Sequence, residues 1–411
     1  MDYKRGILKV ILYFLICFIS EKFYRDLLFK YSLTKIEEVQ NSYSITSIHF
    51  FSVISLFGKF EGIILIMTLI FNFFPISKSF ILVNSYSFSC FSVGFLKFFY
   101  QDPRPFYVNR NIIPYNCESD YGNPSGHVLN STIFFLGVLS MLNDTKLFKN
   151  NNILKYSFSF FIFLLISMLM FSRFLLGVHS LNQIIFGLSL GLGMYYFFFE
   201  LNIIKEFSNG KNFFQIFTST HFNLISFSIY FTFILISLGI YKFSNFDHKY
   251  LNFILNVCSH NPSYKVLENY EFCNILFIFV LIGSHLGILL LIYSVKKYYC
   301  EDEIINFDSL NKFDFFQSEK KNLLRYLLIL ILNVIVFVPF FLVNDANSFL
   351  VILTFKISFP FFLFGFILYG IIPLICLKFD IYSDLFFLEF QKNIDYIEHD
   401  FSKEKKDIYI I

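Results

Sequence analysis

Long apolar runs alternate with short polar breaks along most of the chain. Apolar stretches cover residues 79–99, 128–142, 153–176, 180–200, 222–241, 272–294, 325–343 and 349–377. A further run, His49 to Phe74, is broken only by Lys59 and Glu61. Runs of about 18 or more residues with few or no charges are the signature of helices that cross a bilayer. The pattern predicts an all-α polytopic membrane helix bundle of nine spanning helices, with a tenth if residues 6–20 also span. That segment follows Lys4 and Arg5, and Phe18 and Ser20 make a poor small-x-small cleavage site, so it reads as a retained helix rather than a signal sequence. Residues 21–45 are mixed and charged and read as an amphipathic or loop segment, and the Lys59/Glu61 pair reads as an interfacial feature. Three regions follow: 1–44 at the N-terminus, a membrane domain over 45–377 with its core at 79–200, and a charged tail at 378–411.

Composition sharpens the class. The 411 residues are 56% hydrophobic, more than an ordinary soluble domain carries. The bilayer is therefore the expected partner. A net charge of only +3 gives no reason to expect nucleic-acid binding. The seven cysteines form no Cys-x-x-Cys pair and no zinc spacing, and read as small buried residues.

Three polar pieces interrupt the apolar pattern near helix ends: Lys97-x6-Arg104-Pro105, Pro124-Ser125-Gly126-His127 and Ser172-Arg173-x5-His179. Helix parity can be followed through them. Helix 79–99 ends on one face, helix 128–142 crosses away from it, and helix 153–176 returns, so all three pieces share one face. The opposite face is richer in Lys and Arg, which makes it cytosolic and the motif face lumenal or extracellular.

A phosphate monoester is a dianion whose transferring group spreads charge over three equatorial oxygens. Lys97, Arg104 and Arg173 can neutralise that charge, the arginines through a planar fork. Ser125 and Gly126 open a helix whose free N–H groups favour an anion. One of His127 and His179 can attack phosphorus while the other protonates the leaving group and later activates water. No carboxylate cluster has metal-ligand spacing, so no metal or other cofactor is expected.

In motif content, order and spacing these residues resemble the type 2 phosphatidic acid phosphatase superfamily. The resemblance implies that His179 is the nucleophile, His127 the general acid, and Lys97, Arg104, Ser125, Gly126 and Arg173 the phosphate-binding set. The superfamily pattern continues His-x3-Asp, the Asp orienting the nucleophile; here Gln183 stands in that place. In this the chain is similar to the glucose-6-phosphatase branch, as it is in Cys117-Glu118 ahead of Pro124-Ser-Gly-His and in the loop Cys258-Ser-His-Asn-Pro262-Ser-Tyr264. The resemblance spans about residues 45–380. It implies hydrolysis of a small phosphate ester, glucose 6-phosphate first, at a lumenal site in the endoplasmic reticulum membrane. A lipid phosphate phosphatase on the same scaffold and a non-catalytic membrane protein are the alternatives. For a sugar, polar groups of two loops are expected to cover the site: Asn109, Asn111, Asn116, Glu118, Asp120 and Asn123, then Asn256, His260 and Asn261. A disulfide between Cys117 and Cys258 is chemically permitted on that face.

The topology is testable at Asn143-Asp144-Thr145, an N-glycosylation sequon that parity places on the cytosolic face. Asn143 is expected to stay bare when the protein is made in a glycosylating membrane system. A glycosidase-sensitive mass shift that Asn143→Gln abolishes would invert the orientation.

Overall fold

The computed structural model describes residues 2–74, 76–116, 118, 120–201, 213–243, 274–299, 315–342 and 358–379. It is an all-α polytopic membrane bundle, with no strand among the described residues. Seven helical stretches there are long and apolar enough to cross a membrane: Ile76–Val108, Gly126–Asn143, Asn152–Leu175, Leu181–Glu200, Thr220–Gly239, Ile275–Val295 and Phe359–Cys376. Two of the nine expected spans are not among these described stretches. The run from His49 to Phe74 is broken into two helices, and the run 325–343 falls within the helix Phe315–Leu342, whose described apolar stretch is Leu323–Val336.

The first helix, α1 (Asp2–Ser42), is the largest departure from expectation. No proline precedes Pro75, so nothing in the chain forces a break, and residues 21–42 continue the helix instead of forming a loop. Their charges are answered across the fold. Glu21 is fully buried, paired with Arg25 one turn on, and accepts a hydrogen bond from Asn123 Nδ2 at 2.9 Å. Gln40 donates to the carbonyls of Ile113 and Leu175, each at 2.9 Å, and accepts from Ile113 N. The helix is thus tied to Ile113, Asn123 and Leu175.

Next come α2 (Ile45–Leu56), capped by Ser44, and α3 (Phe60–Phe73), joined by a turn at Phe57–Lys59. The core proper is α4 (Ile76–Tyr100), the short α5 (Pro105–Val108), α6 (Gly126–Asn143), α7 (Lys146–Asn150), α8 (Asn152–Leu175) and α9 (Leu181–Tyr195). Small residues set its spacing. A Cβ on Gly187 of α9 would meet Ser125 O at 2.7 Å, and one on Gly191 would meet Leu129 O at 2.9 Å. Side chains there would push α9 away from the start of α6.

The second half is a further helical layer: α10 (Phe213–Thr218), α11 (Thr220–Phe243), α12 (Ile278–Tyr299), α13 (Phe315–Leu342), α14 (Phe359–Phe366) and α15 (Ile372–Lys378), the last two joined by a π-turn. Gly283 of α12 packs on the Phe362 backbone, Gly365 on Ser284, and Gly287 on Gly370, so close that a Cβ on Gly287 would stand 2.9 Å from Gly370 N. In a bilayer, where lipid tails are as apolar as leucine, such small-residue stripes let helices pack by van der Waals contact. Cys117, Cys258, Asn256, His260, Asn261 and the tail from 380 lie outside the described residues.

Gly283→Leu would drive a side chain into the Phe362 backbone. We expect a loss of about 2 kcal/mol or more, as over-packing of tight interfaces costs. It should appear as a lower unfolding temperature in detergent, with Gly239→Leu, which meets nothing within 4 Å, as the neutral control.

Candidate active site

Four helix ends meet on one side of the core. The helix α4 runs out past Lys97, α6 begins at Gly126, α8 ends past Arg173, and α9 begins just after His179. Beneath them an apolar cluster ties the pieces together, with Ile36 of α1, Ile48 of α2, Phe106 of α5, Val128 of α6, Leu175 of α8 and Ile184 of α9 all buried in it. Arg104, Ser125, His127, Arg173, His179 and Gln183 each sit one to three positions from a member of this cluster, while Lys97 is flanked by Leu96 and Phe98 of the main core. All eight residues expected from the sequence meet here: Lys97, Arg104, Ser125, Gly126, His127, Arg173, His179 and Gln183.

Gln183 fixes the geometry of His179. Its Nε2 donates to the Pro103 carbonyl at 2.9 Å, and its Oε1 accepts from Ser180 N at 3.3 Å. A carbonyl only accepts and an amide N–H only donates, so the side-chain amide has one orientation. Its Oε1 also lies 3.2 Å from His179 Nδ1, which must therefore carry the proton. His179 Nε2 is left with a lone pair facing Arg104 Nη1 at 3.1 Å. Burial, with Arg104 and Arg173 nearby, holds the His179 pKa well below the usual value, so the ring is neutral. The same glutamine organises the loop ahead of α6: Ser125 N donates to the Gln183 carbonyl at 3.0 Å, and a Cβ on Gly122 would collide with the Gln183 side chain.

Arg104 is fully buried and fully used. Its Nε donates to Asp120 O at 2.7 Å, its Nη1 to Val178 O at 2.8 Å, and its Nη2 pairs with Asp120 and with Glu118 Oε2, the latter at 2.8 Å. Lys97 also pairs with Asp120. Arg173, equally buried, donates through Nη1 to Ser55 Oγ at 2.6 Å and through Nη2 to Glu118. Both histidines face that same carboxylate, His179 Nε2 at 3.9 Å from Oε2 and His127 Nε2 at 4.0 Å from Oε1. Burial opposes ionisation of Glu118, but Arg173 and Arg104 outweigh it and hold the carboxyl well below the ordinary range. Asp120 is likewise held down by Arg104 and Lys97 against its burial. Ser125 Oγ, His127 Nε2 and Arg173 Nε are buried without a hydrogen-bond partner among the described residues. Ser125 is the N-cap of α6, yet its hydroxyl makes no capping bond.

Some polar residues lie elsewhere than the sequence suggested. Asn109 and Asn111 do not face the site; both donate to Glu37 of α1, at 3.1 and 3.0 Å. Asn123 is buried between Glu21 and Asp102, at 2.9 Å from each. Glu118 and Asp120 sit among the cations themselves. Ser55 carried no sequence signal. Lys59, read as interfacial, belongs to a turn packed on the site, where a Cβ on Gly58 would come within 3.1 Å of His127 Cδ2. Among the described residues no group of three or more His, Cys, Asp or Glu side chains is placed to hold a metal ion.

Comparison with known families places the same stretch. Residues 78–203 match the family model of the PAP2 superfamily. The match is to the superfamily and not to a branch of it. It begins at Lys78 in α4 and ends just beyond α9, so the matched stretch takes in all three polar pieces. A solved structure of a transmembrane PAP2 type phosphatidylglycerolphosphate phosphatase from Bacillus subtilis aligns with a TM-score of 0.42 and 18% sequence identity, over 48% of this chain and 95% of that one. A search of curated proteins finds no match.

Gln183→Leu keeps the bulk but removes the acceptor that fixes the His179 tautomer. Turnover of a phosphomonoester is expected to fall roughly 10²-fold, the scale of lost acid–base alignment. KM should be nearly unchanged, because the cations stay in place. A fall in kcat/KM carried entirely by KM would contradict the assignment.

Proposed function

We propose that the protein is an integral-membrane phosphatase that hydrolyses a phosphate monoester through a phosphohistidine, with glucose 6-phosphate as substrate and the site on the lumenal side of the endoplasmic reticulum membrane. One observation carries the reaction: two imidazole Nε2 atoms and two buried guanidinium groups converge on a single anion-sized position. His179 Nε2, bare and neutral, attacks phosphorus. The ester P–O bond breaks and its electron pair leaves with the alkoxide, which takes a proton from His127 Nε2. Water then enters, gives a proton to His127 and attacks phosphorus; the P–N bond breaks and its pair returns to His179. Arg104, Arg173 and Lys97 neutralise the equatorial oxygens, with Ser125 Oγ and the first amides of α6 as further donors. His127 is the less enclosed of the two rings, its side chain 19% exposed where that of His179 is fully buried, which suits the residue that meets the leaving group and the incoming water.

The sugar reading rests on Gln183 in the place of the superfamily Asp and on the Cys117-Glu118 stretch. The diversion of Asn109 and Asn111 to Glu37 narrows the polar groups available for sugar hydroxyls to fewer residues than the loop composition promised. The test combines acid-quenched labelling with a substrate comparison on the same membranes. Wild-type protein should trap labelled phosphoenzyme, His179→Ala none, and His127→Ala some when the leaving group is good and needs little acid help. Glucose 6-phosphate should be hydrolysed much faster than phosphatidic acid. Labelling that persists in His179→Ala overturns the nucleophile; preference for phosphatidic acid replaces the sugar with a lipid phosphate.

A further inference from the structure

Glu118 occupies the point on which the machinery converges. Its two oxygens take one donor each from Arg173 and Arg104 and face one histidine each. A carboxylate is a planar monoanion, and its two oxygens stand for two of the three equatorial oxygens of a phosphoryl group. Both cannot sit there at once. We propose that Glu118 is an internal competitor for the phosphate cradle, a residue that holds the two arginines between turnovers and that the incoming phosphate must displace. The inference rests on the phosphatase reading and adds a residue which sets the strength of anion binding.

Charge supports the exchange. In the resting site at pH 8, with both imidazoles neutral, Lys97, Arg104 and Arg173 against Glu118 and Asp120 leave one unit of positive charge. A phosphate dianion added beside both carboxylates would make a buried site net negative. A dianion that replaces Glu118 brings the set to neutrality, which a low-dielectric site strongly favours. Hydrogen-bond capacity points the same way. With Glu118 in the cradle, Arg173 Nε, Ser125 Oγ and His127 Nε2 remain unpartnered among the described residues. Two carboxylate oxygens cannot reach all of these; a tetrahedral anion has further oxygens to offer. Displacement needs only side-chain rotation. Glu118 keeps 19% side-chain exposure, which gives it an open side to turn toward, and its carbonyl is held independently by Tyr107 OH at 3.0 Å. Asp120 differs: it pairs with Lys97 and Arg104 and, among the described residues, with no histidine, so it stays as the permanent counter-ion.

An occupant that must leave weakens apparent affinity by the fraction of time it occupies the site. The probe is inorganic phosphate at pH 8, titrated against the full-length protein in detergent and read by the rise in unfolding temperature. Glu118→Gln keeps shape and removes charge, and it should bind phosphate about tenfold more tightly than wild type or better. Glu118→Asp, shorter by one methylene, should also bind more tightly and covers the case in which the glutamine variant does not fold. Glu38→Gln, at an exposed ion pair with Lys35 on α1, should match wild type. If either Glu118 variant binds phosphate no better than wild type, Glu118 is a structural counter-ion and the proposal fails. If wild type and both variants all fail to bind phosphate, the phosphatase reading of the cradle fails instead.

Discussion

The arrangement depends on neutralising three cations inside a membrane protein. Lys97, Arg104 and Arg173 are at most 5% exposed, and a buried unpaired charge costs several kcal/mol even after relaxation. Asp120 and Glu118 answer them from the loop between α5 and α6. That loop is placed by α1 through Gln40, Glu37 and Glu21, and by α9 through Gln183. The ion network thus dictates the path of a segment that has little regular structure of its own.

The first turn of α9 is the second determinant. Gln183 binds His179, Ser180, Pro103 and Ser125 at once, joining the three polar pieces through one side chain and its own carbonyl. An aspartate there would bring charge but could not donate to the Pro103 carbonyl. The amide trades electrostatic support of the imidazole for a fixed orientation.

Much of this was legible in the sequence because charged residues at the ends of apolar runs are conspicuous. Lys97, Arg104, His127, Arg173 and His179 stood out in that way, and helix parity alone brought them to one face. The roles of Glu118 and Asp120 were not legible. Their positions were visible as loop polarity, but a carboxylate that binds sugar and one that binds arginine look alike until distances are known. Asn109 and Asn111 were misplaced for the same reason, since the partner Glu37 lies more than 70 positions away. The helix α1 was misread because Glu21, Arg25, Glu37 and Gln40 resemble a solvated surface. In the fold they are contacts to the loop, and only the tertiary arrangement pairs them.

The unequal exposure of the two histidines has a stereochemical consequence for the proposed reaction. His179 is sealed by protein, so the alcohol can leave and water can arrive only on the His127 side. Both displacements then use the same open side of the phosphorus, each with inversion, and the chirality of an isotopically labelled phosphoryl group is retained overall. In that reaction any other alcohol small enough to take the place of water would capture the phosphoryl group by the same route, and the balance between hydrolysis and transfer would follow the concentration of the acceptor.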